Sequence, residues 1–491
     1  MTINKLLCPL SYISLIKTNN VVFSSPNHYI LYKELDCLAT SLFFFFKRIN
    51  LSNRSVLVVT NNSVLLTALY FAALKSNNTI IPFNVRGFSS RYLNNLRLSK
   101  IDLVIGDKKW LKFIADKNWG KLFSLEYIKY QLNTQFTKFI FYKFYSQNIS
   151  IYNLQATLSG ISTSGSTGNS KICYHTLTNH LLSVVGLNKY TRINYLDKWW
   201  LVLPVSHVSG FTIILRTLFS YATVLISINF KNKQSIERIL ESSRVTFFSL
   251  VNTHLYRLRF YYFFQEFLSN LRCILIGGSK ANIAMFSQTK FPPNTLLCFT
   301  YGLSETFSQI FITQFPNFNL STLLPYRQFK LLDKSHIIVR GGILLQKYDY
   351  SRKILYSRKR KFMQHFWFLT QDRAKINTQH GCFIRGRIDS LFARAGENIS
   401  PEEIEYELNK LSNVIFSIVI PIFNEELDYV PIAYLHLQNV NEFNEGSIKA
   451  SLERALPKHK IPMKFFIMPS QFTLAIKVNR HLLKSYYYQN N

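Results

Sequence analysis

The sequence predicts an α/β protein, with a large N-terminal part built on parallel or mixed sheets and helices and a small α+β part at its C-terminal end. Three observations predict it. The chain has 491 residues, too many for one ordinary domain. From residue 29 onward, short apolar runs alternate with helically spaced segments, the pattern of strands joined by crossover helices. Near residue 400 the pattern restarts at Ser400-Pro401-Glu402-Glu403, a helix start with an N-cap residue, a proline at the first helical position and acids in the first turn.

In chain order, residues 29–48 have helical spacing, 55–60 (Ser-Val-Leu-Val-Val-Thr) form a short buried strand, 63–75 a second helix and Thr79–Pro82 another strand. Residues 87–150 continue the pattern and carry no identifiable chemistry. Residues 158–164 read as a strand, the polar stretch after them as a loop, and the segment marked by Leu177, Leu181, Leu182 and Val185 as a helix. His207 stands at the end of an apolar strand, and Arg216 lies inside the apolar run FTIILRTLF. CILIGGS at 273–279 is a strand ending in two glycines. No internal repeat is evident.

Composition narrows the class. The chain is 48% hydrophobic and 15% aromatic, enough for large cores, and its formal charge is +32. Such charge raises nucleic acid or an anionic membrane as partner. The charge is dispersed, however, with its densest run at Arg352–Lys361 and no RNA-binding signature. Abundant Lys, Asn, Ile, Phe and Tyr with little Gly, Ala and Pro point to an A/T-rich genome as the source of much of it. Six scattered cysteines without a C-x-x-C pair fit buried thiols in a reducing compartment. No apolar run reaches the roughly 18 residues of a membrane span. The first twenty residues have neither a signal-peptide core nor a transit segment, so the protein is expected to work where it is made.

Chemistry concentrates at 162–171, Ser-Thr-Ser-Gly-Ser-Thr-Gly-Asn-Ser-Lys. Gly165 and Gly168 let the backbone gather N–H groups around one anion. Thr163, Ser164, Ser166 and Thr167 add hydroxyl donors, and Lys171 adds positive charge. This is a way to hold a polyphosphate. It is not a P-loop, because Ser166 follows Gly165 where the lysine would stand. The plainer alternative is a Ser/Gly linker. Downstream, Gly277, Gly278 and Ser279 end a strand, where ligands of open α/β sheets bind and where a flat ring can approach the backbone. In Tyr301-Gly302-Leu303-Ser304-Glu305, the tyrosine offers a ring face, Ser304 a hydroxyl and Glu305 a hard oxygen ligand. Alone, that run is a turn with a helix-start glutamate. Arg216 must be paired or solvated, by snorkelling to the surface or as a clamp on a carboxylate.

Taken together, TSGSTG-x-x-K with Y-G-L-S-E resembles the adenylate-forming superfamily of acyl-CoA synthetases, peptide-synthetase adenylation domains and luciferases. His175-Thr176 after the loop, HVSG with Arg216, and Ile476-Lys477 resemble its branch that ligates 2-succinylbenzoate to CoA in menaquinone and phylloquinone synthesis. The resemblance spans roughly residues 29–485. It implies a phosphate loop at Thr163–Gly168 with Lys171, and adenine contacts at Gly277, Gly278, Ser279 and Tyr301. It further implies phosphate contacts at Gly302 and Ser304, and Mg²⁺ on Glu305. Asp372, in FLTQD where the family has a T-G-D, would bind the ribose hydroxyls, and Arg387 the ribose and phosphate side. GRIDSLFARAGENISPEEIE at 386–405 resembles the family most sharply. It implies a domain boundary between 1–386 and 387–491, a hinge at Asp389, and a CoA tunnel beside Gly396. His207 and Arg216 would contact the acyl substrate. Lys477 would be the catalytic lysine of a mobile C-terminal lid.

The implied activity is ATP-dependent ligation of 2-succinylbenzoate, an aromatic dicarboxylate, to CoA through an acyl-adenylate. The implied partners are ATP, CoA, Mg²⁺ and that acid, with no nucleic acid and no membrane span. The alternatives are a fatty- or aryl-acid CoA ligase of the same superfamily and, from another class, a basic nucleic-acid-binding protein. Residue bias, the missing targeting signal and the quinone-pathway resemblance together suggest a plastid-encoded stromal protein, with a bacterial cytoplasm as the alternative.

Overall fold

The computed structural model describes residues 5–6, 8–26, 28–83, 101–115, 121–128, 152–163, 171–226, 233–242, 244–277, 286, 289–315, 321–333, 335–350, 353–356, 367–377, 381–394, 397–473 and 478–490. Two large sheets dominate them. The first runs in the order Lys353–Tyr356, Lys347–Tyr350, Lys171–Thr176, Thr157–Thr163, Thr79–Pro82, Ser55–Val59, Leu103–Gly106 and Lys121–Ser124. Its last five strands are parallel, and its first four pair antiparallel. The second sheet has a parallel centre of Val21–Ser24, Thr223–Ile226, Lys198–Leu201, Phe247–Leu250, Cys273–Ile276 and Leu296–Leu303, with antiparallel strands at both edges.

Helices fill the space between the two sheets. Helix Ser63–Lys75 is apolar on every side, and Leu65 through Leu74 are all buried, as a helix packed from both faces must be. Asn62 caps it by accepting from Leu65 N at 3.0 Å. Residues 29–48 divide: Tyr29–Leu31 is an edge strand paired to Val21–Ser24, and only Tyr32–Arg48 is helical. The predicted strand–loop–helix around the phosphate-type loop is also corrected. Thr157–Thr163 is followed, beyond 164–170, by a second strand Lys171–Thr176, and the helix Leu177–Thr191 comes after that. The two strands lie antiparallel, so the loop is a strand-to-strand connection. The helix faces differ from expectation as well. Val185 is exposed, whereas His180, Ser183 and Val184 are buried beside Leu177 and Leu187.

A third sheet, Arg327–Leu332, His336–Gly341, Phe368–Asn377 and Gly381–Arg387, is antiparallel. A fourth starts at Phe392 and has its own core around Ile404, Val419, Leu435 and Phe465. Helix Pro401–Leu408 begins where the sequence predicts, although the Ser400 hydroxyl donates to Glu402 instead of capping the backbone. Arg480 forks onto buried Glu405 at 2.6 and 2.7 Å and fixes the last helix to this core. Arg259 Nη2 donates to Gln438 Oε1 at 2.8 Å, which joins helix Asn252–Leu258 and its C-terminal residue to the fourth sheet. No described helix is long and apolar enough to cross a membrane.

Candidate active site

The parallel strands of the second sheet end on one side. Gly277 follows Ile276 there, and a side chain at 277 would meet Thr300 Oγ1 at 2.9 Å. Tyr301–Leu303 close the neighbouring strand, and Ser304–Thr306 form a tight turn. Gly302 is required by packing, since a Cβ would lie 2.2 Å from the Ser308 carbonyl oxygen. Past the turn the chain takes two left-handed residues, Phe307 (φ 44°) and Ser308 (φ 113°), a strained arrangement that holds Glu305 at the strand end.

The third sheet supplies the facing groups. Tyr301 Oη donates to Asp372 Oδ2 at 2.6 Å, and Arg387 Nη1 lies 3.6 Å from Asp372 Oδ1. Arg387 forks onto Asp389 at 2.8 and 2.9 Å, and this pairing raises its already high pKa further. Burial and the Asp372 charge push the Tyr301 phenol well up, so it stays a donor. Gln371, standing where a glycine is expected, adopts φ 65° and so keeps the left-handed turn a glycine would make. The field of Glu305 reaches both Arg387 and Cys173, and Lys171 acts on Cys173 from its own strand. Tyr301, Ser304, Glu305, Asp372, Arg387 and Asp389 therefore form one cluster beside Gly277 and Gly302, and Lys171 begins the strand whose Cys173 feels the Glu305 charge.

The two residues expected on the acyl side divide. His207 does not end a strand. It is the exposed N-cap residue of helix Val208–Phe219, because Pro204 and the close-packed Gly210 turn the chain before the helix starts. Arg216, on that helix, does not snorkel: it is 1% exposed. Its Nη2 donates to Ser308 Oγ at 2.9 Å and to Gln309 Oε1. Burial, and then the nearby Arg327 guanidinium, lower its pKa to about 9. Arg327 is itself buried and donates to the Gln309 and Pro325 carbonyls at 2.7 and 2.6 Å. Among the described residues neither arginine forms an ion pair with a carboxylate.

Ser164, Gly165, Ser166, Thr167, Gly168, Gly278, Ser279, Gly396 and Lys477, and the Thr163 side chain, lie outside the described residues. The sequence reading passed over Arg327 and His180, and used His175 only as a mark of the resemblance, not as the buried partner of His180. His180 bonds Tyr70 Oη at 2.7 Å and Ser159 Oγ at 2.9 Å. The available signal was a histidine, His180, five residues after His175 and directly before the apolar Leu181-Leu182 pair.

A family model described as "AMP-binding enzyme" matches residues 17–339. The 2-succinylbenzoate–CoA ligase of Bacillus pumilus is 31% identical over 353 residues, 68% of this chain and 70% of that protein. The o-succinylbenzoate CoA synthetase of Bacillus subtilis, solved with its acyl-adenylate intermediate, aligns with a TM-score of 0.81 at 20% identity over 98% of both chains. The same enzyme solved with ATP and magnesium gives 0.81 at 19% identity over 98% of this chain and 100% of that one. The structural likenesses establish a shared fold. With the family match covering most of the N-terminal part and a curated relative above 30% identity, the chain belongs to the AMP-binding enzyme family.

Proposed function

We propose that the chain ligates 2-succinylbenzoate to CoA. The succinyl carboxylate attacks the α-phosphorus of ATP, and the bond to pyrophosphate breaks. The CoA thiol then attacks the acyl carbonyl carbon, AMP leaves, and the thiol proton passes to solvent. The observation that carries this reading is the convergence of Asp372 and Arg387, from the third sheet, on Tyr301 and Glu305 at the carboxyl end of a parallel strand, in a chain 31% identical to a 2-succinylbenzoate–CoA ligase. Asp372 and Arg387 hold the ribose side, Tyr301 lies along the base, and Lys171 faces the phosphates.

Glu305 fits magnesium. It presents one hard carboxylate on a half-buried turn, and Mg²⁺ beside a nucleotide takes one or two carboxylates with the remaining positions left to phosphate oxygens and water. A magnesium ion there supplies charge neutralisation of the phosphates. His207 and Arg216 serve the acyl side. We place the domain boundary at 386/387 and the hinge at Asp389, whose carboxylate grips Arg387. Lys477 assists adenylation, and Gly396 borders the CoA path. The compartment reading rests on residue usage together with the resemblance to quinone-pathway ligases. It favours a plastid stroma, although the relative and the aligned structures named above are bacterial.

The test is a ligation screen with ATP, Mg²⁺ and CoA over 2-succinylbenzoate, benzoates and fatty acids, reading AMP and thioester. A clear preference for 2-succinylbenzoate is expected. Preference for a fatty or simple aryl acid transfers the assignment to a general acyl–CoA ligase.

A further inference from the structure

The buried ring of His175 sits directly behind the turn that carries Glu305. Its strand lies antiparallel to Thr157–Thr163, with His175 opposite Ser159. The backbone groups of Ser304, Cys173 and Glu305 are near enough to act on the ring, opposing the downward shift that burial imposes on it. The Phe307 ring, on the first left-handed residue after the turn, lies 4.9 Å from His175 and is stacked on His180 at 3.9 Å. Ser183 Oγ donates to the Phe307 carbonyl at 2.7 Å, and Leu345 N to the Glu305 carbonyl at 2.9 Å.

The two histidines differ in one respect. His180 uses both ring nitrogens, on Tyr70 and Ser159, and is fully committed to the core. His175 is fully buried, yet neither of its nitrogens has a formed hydrogen bond. An apolar side chain would fill the same space without leaving a buried donor unused. The ring N–H is therefore the feature with a use, and two of the backbone groups that act on the ring, those of Ser304 and Glu305, belong to the turn carrying the magnesium-side carboxylate.

We propose that His175 is a positioning residue for Glu305, wedged behind the Ser304–Thr306 turn and donating its N–H to the Ser304 or Glu305 carbonyl when a magnesium nucleotide draws the Glu305 carboxylate forward. The strained Phe307–Ser308 backbone gives the turn a reason to need such a support. The proposal rests on the reading of Glu305 given above, but not on the identity of the acyl acid.

Calorimetric ATP binding at varied Mg²⁺, with no acyl acid present, tests it. His175→Leu removes the donor and should raise the Mg²⁺ needed for half-maximal ATP binding by about tenfold, the scale of one lost buried hydrogen bond. ATP binding without Mg²⁺ should change less than about twofold, since only the metal-side support is lost. His175→Asn, which keeps an N–H donor, should recover most of the Mg²⁺ response. His175→Phe carries the same expectation as leucine and stands in if the leucine variant does not fold. The proposal is overturned if the donor-less variants titrate with Mg²⁺ like the parent. It is equally overturned if Asn and Leu variants lose ATP binding alike with and without the metal. A parent that binds Mg·ATP but does not ligate 2-succinylbenzoate removes the acyl assignment alone. A parent that binds no ATP removes both.

Discussion

The Tyr301 hydroxyl holds Asp372 by a 2.6 Å hydrogen bond, and so ties the end of a parallel strand to the antiparallel third sheet. In the proposed reading both residues belong to the nucleotide side, and the bond would pre-set the carboxylate for the ribose. A hydrogen bond to a charged group contributes about 1.5–3 kcal/mol. Tyr301→Phe should therefore weaken ATP binding by about 10- to 150-fold, with the acyl-acid KM little changed. Asp372→Ala should weaken it further. Unaltered ATP affinity in Tyr301→Phe would mean that the bond is packing alone.

Lys477 is assigned to adenylation and not to thioester formation, so its removal separates the two steps. Lys477→Ala should abolish ATP–pyrophosphate exchange while still converting supplied acyl-adenylate and CoA to thioester. Equal loss in both half-reactions removes the assignment.

Much of this was legible because some signals are local. Helix Ser63–Lys75 and strand Thr79–Pro82 match their predicted bounds, since apolar spacing and the Asn62 cap act over a few residues. What failed depended on distant partners. Lys171–Thr176 became a strand because it pairs with Thr157–Thr163 on one side and Lys347–Tyr350 on the other, about 175 positions along the chain. Tyr29–Leu31 joined a sheet edge for the same reason. The motif residues Tyr301, Glu305, Asp372 and Arg387 could be picked out singly, but not the hydrogen bond joining 301 to 372. Arg327 was invisible because nothing near it in sequence marks it as the neighbour of Arg216.

Acid should destabilise this protein through its buried histidines. Burial chiefly lowers His175 and His254 to about 3 and His436 to about 4, and takes His180 well below its ordinary value. In the unfolded chain each takes up a proton near pH 6.5. Between about pH 6.5 and 4 the unfolded state thus binds more protons, so stability rises with pH across that window and falls on acidification. Each such histidine contributes up to about 1.4 kcal/mol per pH unit. Thermal melts should be nearly flat above pH 7 and fall steadily below 6.5. His254→Gln combined with His436→Gln should flatten the fall. A parent whose Tm is constant from pH 7 to 4.5 contradicts the neutral-buried state of these rings.

The proposed substrate choice gives Arg216 a testable role. 2-Succinylbenzoate has two carboxylates, and only the succinyl one reacts. The aromatic carboxylate must be held unreacted, and an unpaired charge in an apolar pocket costs several kcal/mol. Arg216 is buried on an otherwise apolar helix, with Arg327 as a second cation nearby and, among the described residues, no carboxylate partner for either. Two buried cations held by neutral acceptors leave that region short of negative charge, and an aromatic carboxylate would offset part of the deficit. Arg216→Leu should therefore lower kcat/KM for 2-succinylbenzoate by the equivalent of about 2–5 kcal/mol, the cost of breaking a desolvated charge pair. It should lower kcat/KM for the monocarboxylate 4-oxo-4-phenylbutyrate much less, because that acid brings no second charge to be paired. ATP affinity should stay at the parent value with either acid, since Tyr301, Asp372 and Arg387 are untouched. Equal losses for the two acids would make Arg216 a structural residue bound to Ser308 and Gln309, with the aromatic carboxylate held elsewhere. A parent enzyme that prefers the monocarboxylate from the outset would overturn the dicarboxylate assignment itself.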